Sequence, residues 1–152
     1  MDVLSISNVG FLMEYTNFPN IEKPVSRIGL GTWALGGWMW GGQNEEEAIQ
    51  TVHAAFDQGI RLIDTAPVYG FGASEIVVGK ALKQKGIRDD VVLATKVGLE
   101  WKNETPYRNS TPERLRTELD DSLERLQTDY IDIYQVHWPD PLVTIEETAT
   151  TL

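Results

Sequence analysis

The sequence predicts an α/β protein built on a parallel sheet, and three features carry that reading. From about residue 27 onward, short β-branched runs alternate with amphipathic helical segments. The helical segments have recognisable start and stop signals, and one strand-like run is apolar almost throughout, as a strand buried on both faces requires. With 152 residues, 41% of them hydrophobic, the chain can bury one ordinary core and reads as a single domain.

Arg27-Ile28-Gly29-Leu30 reads as the first strand. Asn44-Glu45-Glu46-Glu47 then resembles a capping box opening a helix whose Ala48, Ile49, Val52, Ala55 and Phe56 share one face, and Gly59 ends it. Arg61-Leu62-Ile63-Asp64 is the second strand. A helix from about Ser74 is expected to bury Ile76, Val77 and Leu82 before stopping at Gly86. Val91 to Lys96 is the third strand, an apolar run with a polar end, and a long polar loop is expected after it. Pro112 sits where a first-turn proline belongs, behind Ser110 and Thr111 as candidate caps. Leu115, Leu119, Ser122, Leu123 and Leu126 then repeat at helical spacing. Ile131 to His137 is the fourth strand, and Thr144-Ile145-Glu146-Glu147 opens another capped helix.

Before all this, residues 1–12 read as a loose tail, and the domain is taken as residues 13–152, with Glu14-Tyr15 through Val25 able to form a short hairpin. The last helix has only about eight residues and no C-cap signal, too short to be stable alone. Four βα units are half of the eight that close a parallel (β/α)8, or TIM, barrel. The expectation is therefore a truncated half-barrel.

A formal charge of −10 repels phosphate backbones, and no basic cluster with interleaved aromatics offsets it, so no nucleic-acid partner is expected. The absence of cysteine removes disulfides, thiolate metal sites and cysteine nucleophiles, and no metal is called. The opening residues lack a basic segment followed by an apolar run, and no stretch is apolar enough to span a bilayer. No membrane partner is expected, and the cytoplasm is the default location.

Polar residues stand where the buried strands end: Asp64 after the second, Lys96 after the third and His137 after the fourth, with Tyr69 in the loop following Asp64. Each alone has an ordinary explanation as a turn cap, a snorkelling lysine or a core histidine. Together they form a candidate catalytic group, because the C-terminal rim of a parallel barrel is where active sites are built.

With those residues in place, the chain resembles the aldo-keto reductase family from about residue 25 to 152. The matching segments are Arg27 through Trp33, Ile63-Asp64-Thr65-Ala66-Pro67-Val68-Tyr69-Gly70, Thr95-Lys96, Leu123-Glu124-Arg125-Leu126, Asp129-Tyr130-Ile131-Asp132 and His137-Trp138-Pro139-Asp140. The loop Gly36-Gly37-Trp38-Met39-Trp40-Gly41-Gly42 is similar to bacterial members of the general-stress-protein type. The resemblance implies NADPH-dependent reduction of small aldehydes and ketones. Tyr69 would give a proton to the developing alkoxide, Lys96 would be the cation that assists this weak acid, Asp64 would hold Lys96, and His137 would orient the substrate oxygen. It also places Gly31, Thr32, Trp33 and Asp64 at the cofactor, and Trp33, Trp40, Tyr69 and His137 around the substrate.

Two other readings stand beside this one. Gly29-x-Gly31-x-x-Ala34 fits a dinucleotide fingerprint of Rossmann type, although the glycines are not followed by a helix until about residue 45. A non-catalytic half-barrel stabilised by a second copy or by a complementing half-barrel is the other, because the family's cofactor-phosphate contacts come from later strands and four parallel strands leave open edges. The 152 residues alone are accordingly expected to bind NADPH weakly and to show no aldehyde reduction.

Overall fold

Leu30, Ile63 and Leu93 stand in register on three adjacent parallel strands, and the face they share is the one the helices cover. The computed structural model describes residues 12–152. Apart from the exposed Leu12, the expected tail lies outside the described residues. The elements in order are β1 (Tyr15–Thr16), β2 (Val25–Ser26), β3 (Gly29–Gly31), α1 (Glu45–Asp57), β4 (Leu62–Asp64), α2 (Ala73–Lys85), β5 (Val92–Val97), β6 (Leu99–Lys102), β7 (Thr105–Arg108), α3 (Pro112–Leu126), β8 (Ile133–Val136) and α4 (Ile145–Thr151). Strands β3, β4, β5 and β8 form one parallel sheet in that order. They are four consecutive βα units of a (β/α)8 barrel, strand beside strand in chain order.

Sequential order rules out the Rossmann arrangement, whose strand order reverses about its first strand. After β3 the chain makes one short 3₁₀ turn, Trp33–Gly36, and α1 starts only at Glu45, so the glycines open no helix. Asn44 caps α1 by accepting from the Glu47 N–H, and Thr144 caps α4 in the same way through the Glu147 N–H. Beyond α1, Gly59 adopts a positive φ and the chain turns into β4. The first hairpin pairs Tyr15 with Ser26 and Thr16 with Val25. No helix among the described residues is long and apolar enough to cross a membrane.

Three expectations need correction. Ile76 is exposed, and α2 instead buries Glu75, Val77, Val78, Ala81 and Leu82. The cause is that α2 is wedged against both α1 and α3, with Gly79 at the closest approach: a Cβ there would lie 2.6 Å from the Arg125 carbonyl oxygen. Second, the stretch after β5 is not an irregular loop but the antiparallel pair β6–β7, closed by Asn103 and Glu104, both at positive φ as a two-residue hairpin turn demands. Third, Thr111 occupies the N-cap of α3 without a capping side-chain bond; its hydroxyl donates to Asn109 Oδ1.

Beneath the apolar layer lies a buried polar seam. Glu75 accepts from Thr95 Oγ1 and Arg125 Nε, each at 2.6 Å, which ties α2 to β5 and to α3. Glu118, fully buried on α3, accepts from the Gly98 N–H at 3.0 Å and faces Arg114 at 3.4 Å. Burial pushes its carboxyl up to about 7, overcoming the opposing pull of Arg114 and the Gly98 amide. A carboxyl whose folded pKa exceeds its unfolded value binds the extra proton in the native state. Its stabilising effect is therefore complete at low pH and lost as pH rises from about 4.5 through about 7. We predict that Glu118→Gln loses part of the wild-type decline in stability across that window. Urea unfolding at pH 5 and pH 8 measures the difference, expected to be on the order of 2–3 kcal/mol; parallel pH profiles for the two proteins would contradict it.

Candidate active site

Parallel pairing carries three strand ends to one rim. Asp64 closes β4 opposite Gly31 and Ala94, Lys96 lies two residues beyond Ala94 on β5, and His137 follows β8 with its N–H donated to the Val97 carbonyl at 2.8 Å. Tyr69 is brought to the same rim by the turns between β4 and α2. Those turns are clamped: the Thr65 and Ser74 hydroxyls meet at 3.1 Å, and Ser74 Oγ lies 2.9 Å from both the carbonyl and the hydroxyl oxygen of Thr32. Gly70 passes so close to Gly36 that a Cβ would sit 2.0 Å from the Gly36 carbonyl oxygen, so glycine at φ +65° is required there.

The Lys96 ammonium donates to both carboxylate oxygens of Asp64, at 2.9 and 2.8 Å, to the Thr65 carbonyl at 2.8 Å and to the Tyr69 hydroxyl oxygen at 3.2 Å. Because Lys96 approaches the phenol as a donor, the Tyr69 O–H proton is left to point elsewhere. The Tyr69 ring stacks on Trp33, with centroids 6.1 Å apart, and meets His137 edge-on at 5.8 Å. Burial first, and then the charge of Lys96, lower the His137 pKa to about 4, against the opposing influence of Asp64. At neutral pH its imidazole is uncharged, with one ring N–H to donate.

Trp33, Tyr69 and His137 open onto a cavity of about 310 Å³ lined also by Trp38, Met39, Val68, Leu99, Pro106 and Trp138. Among the described residues, the polar side-chain groups of this lining besides indole N–H are those of Tyr69 and His137. A larger concavity of about 640 Å³, near Arg88 and Tyr130, lies by the opposite strand ends and contains none of the four rim residues.

Of the residues named from sequence, Asp64, Tyr69, Lys96 and His137 stand together, with Trp33 beside them. Trp40 does not line the cavity; it packs edge-on against Trp33 at 5.7 Å. Thr32 is buried, its N–H and hydroxyl both donating to the Asp64 carbonyl, so its side chain braces the rim from behind. Gly31 is exposed at the end of β3, with open space where a side chain would stand. Trp38, Met39, Val68, Leu99, Pro106 and Trp138 were not named for the cavity from sequence. The Trp-Met-Trp run in a glycine-rich loop was a signal for the first two, but the hairpin residues gave none.

Residues 27–152 match a model of the aldo/keto reductase family. Similar proteins include "Aldo-keto reductase YhdN" of Bacillus subtilis (strain 168), 61% identical over 140 residues, covering 92% of this chain and 42% of that protein. Another is "NADH-specific methylglyoxal reductase" of Escherichia coli (strain K12), 45% identical, covering 84% of this chain and 44% of that protein. Among solved structures, the glycerol dehydrogenase AKR11B4 from Gluconobacter oxydans matches at TM-score 0.83 and 49% identity, covering 90% of this chain and 43% of that one. The aldo-keto reductase AKR11C1 from Bacillus halodurans, in its holo form, matches at TM-score 0.81 and 35% identity, covering 92% and 45%. The chain thus spans less than half the length of these proteins.

We predict that the His137 ring titrates near pH 4 and that Lys96→Met moves this midpoint upward, since the substitution removes the nearby cation. Histidine proton chemical shifts followed from pH 3 to 8 provide the measurement. A wild-type midpoint at the ordinary imidazole value would show that the ring is solvated and insensitive to Lys96.

Proposed function

The chain belongs to the aldo/keto reductase family, and from that premise we propose that its rim serves the reduction of small aldehydes and ketones to alcohols with NADPH. The observation that carries the reading is the Lys96 ammonium held between the Asp64 carboxylate and the Tyr69 hydroxyl oxygen. A phenol is a weak acid, and a cation bound to its oxygen stabilises the phenolate left when the proton departs. Asp64 and the Thr65 carbonyl fix Lys96 so that this charge needs no reorganisation as the proton moves.

A carbonyl seated in the cavity would receive two donors: the Tyr69 O–H, whose proton passes to the oxygen as it becomes an alcohol, and the His137 ring N–H. His137 being neutral, it orients the oxygen without adding a second cation beside Lys96. The largely apolar lining offers the carbonyl few polar partners besides these two donors.

A bound nicotinamide supplies the hydride. A flat ring suits the open space over Gly31 and the aromatic surface of Trp33. Asp64, the register partner of Gly31 with its carboxylate partly exposed at the rim, would stand at the same strand end. Thr32 would act by bracing the rim. Among the described residues we assign no grip for the cofactor phosphates, and positioning worth many powers of ten in effective molarity depends on that grip.

A second reading rests on β8. Among the described residues this strand pairs on one side only, and beside it Val136, Val143, Ile145 and Leu152 line an apolar groove. A second copy of the chain, or a complementing half-barrel, would cover that groove.

NADPH oxidation with 4-nitrobenzaldehyde, measured in a chain of the relatives' full length that retains these residues, tests the first reading. Tyr69→Phe is expected to lower kcat by about 100-fold or more. The 152 residues alone are expected to show no turnover. Turnover indifferent to Tyr69 would remove the proton-donor assignment. Light scattering tests the second reading: a mass that doubles with concentration supports it, and a monomer at all concentrations does not.

A further inference from the structure

The antiparallel register of β6 and β7 pairs Leu99 with Arg108 and Trp101 with Pro106. Residues directly opposite one another project from the same face of a strand pair, and so do residues two apart along one strand. Leu99, Trp101, Pro106 and Arg108 therefore share one face, with Glu100, Lys102, Thr105 and Tyr107 on the other. Leu99 and Pro106 line the cavity that holds Tyr69 and His137, so the shared face is the cavity's face. The Arg108 guanidinium lies 5.6 Å from the ring centroid of Trp138, another lining residue, which itself packs against His137.

Arg108 has no carboxylate partner among the described residues, although the chain carries 23 acidic residues against 13 basic ones. Two neighbouring acids are engaged elsewhere. Asp140 feels its charge, but its oxygens accept from the Ser110 and Leu142 N–H groups. Glu100 accepts from Asn109 Nδ2 on the hairpin's other face. The remaining cavity lining is apolar or aromatic apart from Tyr69 and His137. A chemical pattern results: hydrogen-bond donors at the reacting end, an apolar middle and an unpaired planar cation at the rim.

We propose that Arg108 is a specificity residue that receives a carboxylate on the carbonyl substrate. This rests on the carbonyl-reduction reading and narrows it to aldehydes or ketones in which an apolar or aromatic spacer separates the carbonyl from a carboxylate. The guanidinium fork matches a carboxylate with two parallel hydrogen bonds, and the Trp138 face supports it from one side.

Binding is tested first, on the 152-residue chain, with 4-(hydroxymethyl)benzoate and its methyl ester as probes. Quenching of tryptophan fluorescence reports occupancy, since Trp33, Trp38 and Trp138 line the cavity. The acid is expected to bind about tenfold more tightly than the ester at low salt, the size of one charge-assisted contact. Arg108→Gln is expected to erase the difference, and Arg108→Lys to restore part of it. Equal affinity of acid and ester in the wild type overturns the proposal. So does an Arg108→Gln variant that weakens both equally, because Arg108 would then merely pack on Trp138.

Turnover is tested in a chain of the relatives' full length, with 4-formylbenzoate and its methyl ester. The ratio of kcat/KM for acid over ester is expected to fall about tenfold in Arg108→Gln, mainly through KM. An unchanged ratio overturns the proposal. No reduction of either aldehyde, with the binding preference intact and Arg108-dependent, would sink the carbonyl-reduction reading while leaving Arg108 as a carboxylate receptor.

Discussion

The geometry of the rim depends on one cation. The Lys96 side chain is only 13% exposed, and an ammonium so far removed from water needs nearly all of its hydrogen-bonding capacity satisfied by the protein. Three of its contacts come from the segment that ends β4 and turns away from it: two from the Asp64 carboxylate and one from the Thr65 carbonyl. The fourth is the Tyr69 hydroxyl oxygen. Register makes this possible, because β4 and β5 are parallel neighbours and a lysine two residues beyond Asp64's partner can reach back over the strand end. A one-residue slip would turn Lys96 toward the helices and leave Asp64 without its cation.

The scaffold beneath is correspondingly rigid, and it is rigid through polar bonds as well as apolar packing. Thr32, Thr65 and Ser74 are fully buried and bonded to one another, linking the ends of β3 and β4 to the first turn of α2. One residue further, Glu75 locks the same turn to β5 and α3 through Thr95 and Arg125. Unsatisfied, any of these groups would be costly to bury; satisfied, they specify a single seating for α2. Tyr69 inherits that precision, since its carbonyl accepts the Ser74 N–H and its neighbour Gly70 is pressed against Gly36.

Much of this was legible in the sequence because it follows from period and punctuation. Apolar runs ending in a polar residue marked the strand ends, and caps such as Asn44 and Thr144 marked helix starts. The placement of Asp64, Lys96 and His137 at one rim followed from parallel strands alone. What escaped depends on tertiary neighbours. Ile76 fits a helical stripe as well as Val78 does, and only the approach of α3 against Gly79 decides which faces inward. Glu75 looks like a surface residue until Thr95 and Arg125 are seen to satisfy it. The β6–β7 hairpin carries charges, a proline and no glycine in its turn, so nothing local distinguishes it from a loop. Its pairing is visible only with Asn103 and Glu104 in left-handed conformations.

The charges at the rim also explain why a histidine beside a lysine is not redundant. Lys96 and Asp64 form a pair of net charge zero, and His137, partly buried and within the field of Lys96, stays neutral over the physiological range. A protonated imidazole there would place two cations at one mouth, raising the cost of the empty site and attracting any passing anion. Left neutral, it contributes a dipole that is favourable toward an oxygen whether the oxygen is a carbonyl or an alkoxide. Under the proposed reaction, the negative charge that develops on the substrate oxygen appears beside donors already in place. That arrangement favours the charged state over the neutral ground state, which is the condition for a site to accelerate the reaction rather than merely bind the substrate.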